Sequence, residues 1–299
     1  MLDFLAPIST LTQWLGSHWA LQLASVAVLS LLVGSFLNVV ILRLPIMMFR
    51  SWKQECADID SLPKHPALDD LSTPYNLVKP DSHCPKCQAP VKAWQNIPLL
   101  SFLMLKGQCA GCGTRIGWRY PAVELVTALM SAVLVFMFPW GLQLAAMLLF
   151  TWLLVSMSVI DIDHQILPDS MTLGLMWLGL VANSFGLFTD LNSAVWGAVA
   201  GYLSLWSVFW IFKLVTGKEG MGFGDFKLLA ALGAWLGFQK LLLIILLSSA
   251  VGAVVGIAGI LILGRDKNLP IPFGPYLAAA GWIAALWGDQ IMAAYLGQF

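Results

Sequence analysis

Eight apolar segments separated by polar breaks decide what this chain can become: about 19–42, 121–138, 142–160, 171–188, 194–212, 226–238, 241–263 and 275–295. A hydrocarbon core about 30 Å thick takes about 20 apolar residues as a helix, and fewer where neighbouring helices shelter it. Composition supports that reading, because 59% of the residues are hydrophobic and only 11% are charged, against roughly 25% charged in soluble domains. A soluble globule is excluded. The expected fold is an all-α polytopic membrane protein with about eight transmembrane helices, of which the sixth is short and diluted by Lys227 and glycines.

Charge divides the chain. Residues 43–120 hold 10 Lys/Arg and 6 Asp/Glu, and form a polar insert between the first and second spans. Positive charge gathers on the cytoplasmic side, so the insert is expected in the cytoplasm and the amino terminus outside. Residues 1–18 contain Asp3 and no Lys or Arg, unlike the basic start of a signal peptide, so the first span is expected to be retained. With eight spans, the cytoplasmic stretches 43–120, 161–170, 213–225 and 264–274, together with Lys227, contain 15 of the 16 Lys/Arg. The expected organisation is therefore 1–42 with the first span, 43–120 as the insert, and 121–299 as a seven-helix membrane domain. Zero net charge gives no reason to expect a nucleic-acid partner.

Four of the five cysteines form Cys84-Pro-Lys-Cys87 and Cys109-Ala-Gly-Cys112, two CxxC turns with 21 residues between them. Each turn aims two thiolates at one point, and two facing turns make a tetrahedral zinc site. Gly113 suits the tight geometry after the second pair. A cytoplasmic setting disfavours the alternative of disulfides. With all four positions filled by sulfur, the metal would be structural, closing an insert that has little core of its own. Cys56 has no partner in this pattern.

Ionisable groups at the edge of a span mark functional candidates. One cluster is Asp161-Ile-Asp163-His164-Gln-Ile-Leu-Pro168-Asp169, after the third span, and the other is Gly220-Met-Gly222-Phe-Gly224-Asp225, before the sixth. Loop charge places both on the cytoplasmic leaflet. Two apposed aspartates can hydrolyse a peptide bond without a metal, one drawing a proton from water and the other donating to the carbonyl oxygen. Gly222 and Gly224 would let the loop leave helical geometry and let substrate approach. Structural roles compete: Asp169 has the position of an N-cap for the fourth helix, Asp225 suits an N-cap of the sixth, and Asp163 either supports the site or faces water. His164 reads as a loop or interface residue.

Taken together, these motifs resemble the type IV prepilin peptidases, bifunctional leader peptidases and N-methyltransferases of the bacterial inner membrane. The resemblance covers almost the whole chain: Gly34-Ser-Phe-Leu-Asn38-Val-Val-Ile-Leu-Arg43-Leu-Pro45, the paired CxxC insert, Arg119-Tyr-Pro-Ala-Val-Glu124, the Asp161 motif, Gly217 through Asp225-Phe-Lys, and Pro270-Ile-Pro-Phe-Gly-Pro275. It implies a GxGD-type aspartic peptidase with Asp161 and Asp225 as the catalytic pair, choosing Asp161 over Asp163 where spacing alone could not. It implies prepilin and pseudopilin substrates with a short basic leader, cleavage after a glycine at the cytoplasmic face, and a periplasmic amino terminus. It also implies methylation of the new amino terminus, usually phenylalanine, from S-adenosylmethionine.

For the methyl donor or substrate, the resemblance directs attention to the insert and to Gly34, Asn38 and Arg43, although helix packing and a basic topology anchor account for the same residues. Many family members have Glu where this chain has Gln95, in Trp94-Gln95-Asn96-Ile97-Pro98. That departure raises the alternative of a peptidase without methyl transfer. Glu124 is either functional or paired with Arg119 or another basic group. A transporter using intramembrane carboxylates is disfavoured, since its ionisable groups belong near mid-bilayer and its architecture repeats.

Overall fold

The computed structural model describes residues 18–55, 63–218, 220–264 and 271–296. Residues 1–17, Cys56, Glu219 and Pro270 of the sequence reading lie outside the described residues. The described residues are all-helical apart from turns and two isolated bridges, and the chain forms two compact units, up to residue 152 and from residue 153.

The first unit is built on α1 (Trp19–Glu55), which runs for 37 residues. At 1.5 Å per residue this is about 55 Å, far more than a bilayer core requires. The expected end of the first span near Leu42 is therefore not the end of the helix: α1 continues through Pro45 as a rigid arm. An internal proline costs about 3 kcal/mol, and contacts on the arm offset it. Arg50 is buried and donates to the carbonyls of Ala67, Asp70, Leu71 and Thr73, while Lys53 donates to Leu68. These bonds hold α2 (Pro66–Asp69) and the turn after it against α1.

The insert continues through a 3-10 turn (Ala93–Asn96) and α3 (Leu100–Met104) to α4 (Arg119–Met137), which packs along α1. Small residues permit this approach, since a Cβ on Gly34 would stand 2.8 Å from the Cα of Glu124. α5 (Leu142–His164) begins in this unit, where Trp152 donates to Ser131 of α4 at 3.0 Å.

In the second unit the end of α5 is followed by α6 (Asp169–Ser184), α7 (Leu191–Thr216), α8 (Phe223–Leu236), α9 (Leu241–Leu263) and α10 (Gly274–Leu296). α8 is the centre: Asp225, Phe226 and every residue from Leu228 to Leu236 are buried. It packs against α6, α7 and α10. Its 14 residues span only about 21 Å, a length tolerable because other helices rather than lipid surround it. Gly197 and Gly201 of α7 meet the α8 backbone with no room for a Cβ, the close approach that small residues give membrane helices.

Among the described residues, five helices are long and apolar enough to cross a membrane: Trp19–Glu55, Arg119–Met137, Leu142–His164, Leu191–Thr216 and Phe238–Ile262. The remaining expected segments, the fourth, sixth and eighth, correspond to α6, α8 and α10.

Candidate active site and metal centre

Asp161 lies on the last turn of α5 and Asp225 on the first turn of α8. The third span was expected to stop at Asp161, but the helix runs on to His164, so Asp161 occupies a fixed helical face. Both carboxylates are inside the unit, the residues being 5% and 7% exposed. Gly274, the first residue of α10, donates its N–H to Asp161 Oδ2 at 3.0 Å. Leu167 is the wedge between the elements: a Cβ on Gly224 would lie 2.7 Å from Leu167 Cβ, and one on Gly274 would lie 3.2 Å from Leu167 Cδ1 and 2.7 Å from Asp161 Oδ2. Leu167 thus touches both the residue before Asp225 and the residue bonded to Asp161. Asp225 Oδ1 is buried without a hydrogen-bond partner among the described residues, the kind of orphaned polar atom that a water or substrate completes.

The neighbouring acids separate from this pair. Asp163, considered as a supporting residue, lies two positions along the helix from Asp161, about 200° around its axis, and is exposed. Asp169 is not the N-cap expected of it: Pro168 takes that position, and the Asp169 carboxylate pairs with Lys227 at 2.6 Å, joining α6 to α8. Nor is Asp225 an N-cap, because Gly222 precedes α8 and Asp225 sits within its first turn. Gly222 and Gly224 also differ from expectation. Gly222 has ordinary extended dihedrals and Gly224 is helical, so neither supplies unusual backbone geometry. Gly224 gives room for Leu167. Gly222 leaves open space, with Asp225 Oδ2 the nearest side-chain atom at 3.9 Å from a built Cβ.

The four cysteines converge. Their sulfurs all lie within 4.8 Å of one another, with Cys84–Cys112 at 3.8 Å and Cys87–Cys109 at 3.9 Å. A tetrahedral ion about 2.3 Å from each sulfur sets sulfurs about 3.8 Å apart, so the cluster fits a metal. The two turns repeat each other. Cys84 N–H donates to Ala89 and Gln88 N–H to Cys84; correspondingly, Cys109 N–H donates to Thr114 and Gly113 N–H to Cys109. The left-handed position is Gly113 in one turn (φ +69°) and Gln88 in the other (φ +59°). Thr114, through its hydroxyl and then its backbone N–H, holds the Cys112 thiol down to about 6.

The residues considered for the methyl donor have work within the protein. Gly34 admits Glu124, the Asn38 amide donates to Gly34 and to Tyr120, and Arg43 donates to the carbonyls of Asn76 and Pro80. Gln95 accepts from the Lys92 N–H at 2.7 Å and closes the 3-10 turn. Glu124 is buried, and its Oε2 accepts from the backbone N–H of Leu99 at 2.9 Å.

Two contributions leave no mark in the sequence. The amide of Gly274, within the Pro-Phe-Gly-Pro motif, acts on a carboxylate 113 residues away. Arg50, one of ten basic residues between 43 and 120, gathers four carbonyls.

Comparison with known proteins agrees with this arrangement. Residues 28–138 match the bacterial peptidase A24 N-terminal domain, and residues 148–257 match the type IV leader peptidase family. A prepilin leader peptidase/N-methyltransferase of Stutzerimonas stutzeri is 58% identical, covering 90% of this chain and 92% of its own. Proteins of the same description from Pseudomonas aeruginosa and Neisseria gonorrhoeae are 56% and 49% identical, covering 96% and 93% of this chain and 97% and 94% of their own. No solved structure matches the chain significantly. A chain that carries both halves of this family over its length, with two buried aspartates where the helices meet and a four-cysteine cluster in the insert, belongs to the type IV prepilin leader peptidase/N-methyltransferases of the peptidase A24 family.

Proposed function

We propose that Asp161 and Asp225 are the acid–base pair with which this prepilin leader peptidase and N-methyltransferase cuts the leader from its substrates. The observation that carries the reading is the burial of both carboxylates at one place, Asp161 held by the Gly274 amide and Asp225 with an unpaired oxygen. One aspartate, ionised, takes a proton from water as the water oxygen bonds to the scissile carbonyl carbon, and the other gives its proton to the carbonyl oxygen. Collapse of the tetrahedral intermediate then breaks the C–N bond, and a proton passes to the leaving amine. Burial strengthens each of these interactions, because little water competes for the charges. Gly222 leaves space on the Asp225 side through which an extended substrate backbone can approach.

The substrates are type IV prepilins and pseudopilins, cleaved after a glycine at the cytoplasmic face of the bacterial inner membrane. We take α6, α8 and α10 as membrane-embedded with the five long helices, giving eight spans, a periplasmic amino terminus, a cytoplasmic insert at 43–120 and a membrane domain at 121–299. The cysteine cluster holds zinc through Cys84, Cys87, Cys109 and Cys112, which ties the two turns of the insert together. S-adenosylmethionine is the methyl donor. The test is mass spectrometry of a prepilin amino terminus after incubation with the detergent-solubilised protein and S-adenosylmethionine. Loss of the leader with one added methyl group is expected. An intact prepilin, with the enzyme folded and metal-loaded, would overturn the reading.

A further inference from the structure

The insert is not uniformly basic. Residues 43–81 carry five basic and six acidic residues, whereas between Asp81 and Glu124 there are five basic residues and no acidic one. Lys86, Lys92, Lys106 and Arg115 are exposed, and none has a carboxylate partner among the described residues. The same stretch exposes large apolar side chains. On α3, Leu100, Leu103 and Met104 fall at i, i+3 and i+4, one helical face, and are 59%, 69% and 72% exposed. Trp118, immediately before α4, is 77% exposed, its ring 5.0 Å from that of Phe102.

The depth of this patch is set by bonds already described. Glu124, in the second turn of α4, accepts from Leu99, which directly precedes α3. Asn38 of α1 donates to the carbonyl of Tyr120. α3 is thus pinned beside the first turns of one membrane helix and beside another. The apolar surface then continues down α4 through Leu125, Val126 and Leu129, all exposed. An apolar helix face at this level, flanked by lysines and arginines and by Trp118 and Tyr120, has the composition of a segment lying in a bilayer interface.

We propose that α3 and Trp118 dock onto the anionic cytoplasmic leaflet, with Leu100, Leu103 and Met104 among the acyl chains and Lys92, Lys106 and Arg115 against the headgroups. Charge selects this occupant. An all-basic surface repels a second copy of itself. Anionic lipid is the complementary partner, each basic residue near such a surface being worth about 1 kcal/mol, a factor of about five. The docking would hold the cysteine cluster flat against the membrane, where a leader emerges from the bilayer.

The inference rests on α1 and α4 being spans, and the experiment separates the two. The full-length, zinc-loaded protein, with a benzophenone amino acid at Leu103, is placed in nanodiscs containing phosphatidylglycerol, irradiated and examined by mass spectrometry. A second variant carries the probe at Leu129 of α4. Lipid adducts at both positions are expected, the Leu103 yield falling about fivefold or more when phosphatidylglycerol is replaced by phosphatidylcholine. Lipid adducts at Leu129 without any at Leu103 would overturn the docking and leave the span intact, while their absence at both would overturn the span. Crosslinks from Leu103 to added prepilin or to a second copy would refute the assigned occupant. Equal Leu103 yields in the two lipids would refute the role of charge.

Discussion

Gly274→Ala separates the chemistry from the fold. The added methyl carbon would stand 2.7 Å from Asp161 Oδ2 and 3.2 Å from Asp161 Cγ and Leu167 Cδ1. A carbon–oxygen approach below 3.0 Å is not sustained, so the carboxylate must withdraw by about 0.5 Å or more. The 3.0 Å bond from the Gly274 amide then lengthens or breaks. The group that yields is the end of an aspartate side chain, so helix packing is spared and the stability cost is small. Catalysis is less forgiving, because a misplacement of about 1 Å costs about 10²-fold, or about 2.7 kcal/mol of barrier. The assay is cleavage of a prepilin under steady-state conditions. kcat is expected to fall about 10²-fold with KM little changed, and methylation of a pre-cleaved pilin should be unaffected. Cleavage within about threefold of the unmodified enzyme, with the variant folded, would refute the positioning role of Gly274.

Other substitutions discriminate further. Gly224→Ala meets Leu167 at Cβ, an atom that cannot swing away, so both melting temperature and activity should fall; Gly222→Ala has space and should leave the melting temperature unchanged. Asp225→Asn removes a buried charge with an unpaired oxygen, and is expected to raise the melting temperature while abolishing cleavage. Glu124→Ala takes away the acceptor of the Leu99 N–H and should destabilise the protein by about 1–3 kcal/mol, whereas Glu124→Gln keeps an acceptor oxygen and should be mild in the same unfolding assay. Cys84→Ser or Cys112→Ser should lower the metal content of the purified protein, read by elemental analysis. Unchanged content would refute a four-cysteine site.

Much of this architecture is legible in the sequence because burial in lipid leaves strong marks. Apolar runs report α1, α4, α5, α7 and α9 directly, and loop charge assigns Asp161 and Asp225 to one side before either is considered a catalyst. The cysteine spacing likewise fixes the convergence of four sulfurs. What escapes is anything decided by backbone groups meeting at long range. Pro45 and Arg43 suggest the end of α1, but carbonyls of the insert gather on Arg50 and carry the helix onward. Asp163 and Asp161 look alike until the helix continues past both and turns one inward and the other to solvent. Asp169 resembles a cap until Lys227 comes within reach from another helix. Glu124 finds its partner in the N–H of Leu99, a residue with φ +56° that no propensity foretells.

The most direct test of the two-aspartate account is mass spectrometry of a prepilin incubated with the unmodified enzyme, with Asp161→Asn and with Asp225→Asn, each shown to be membrane-inserted and metal-loaded. The account predicts that the unmodified enzyme removes the leader and that neither variant does, while both still methylate a pilin supplied already cleaved. Leader removal by either variant at a rate near that of the unmodified enzyme would contradict it.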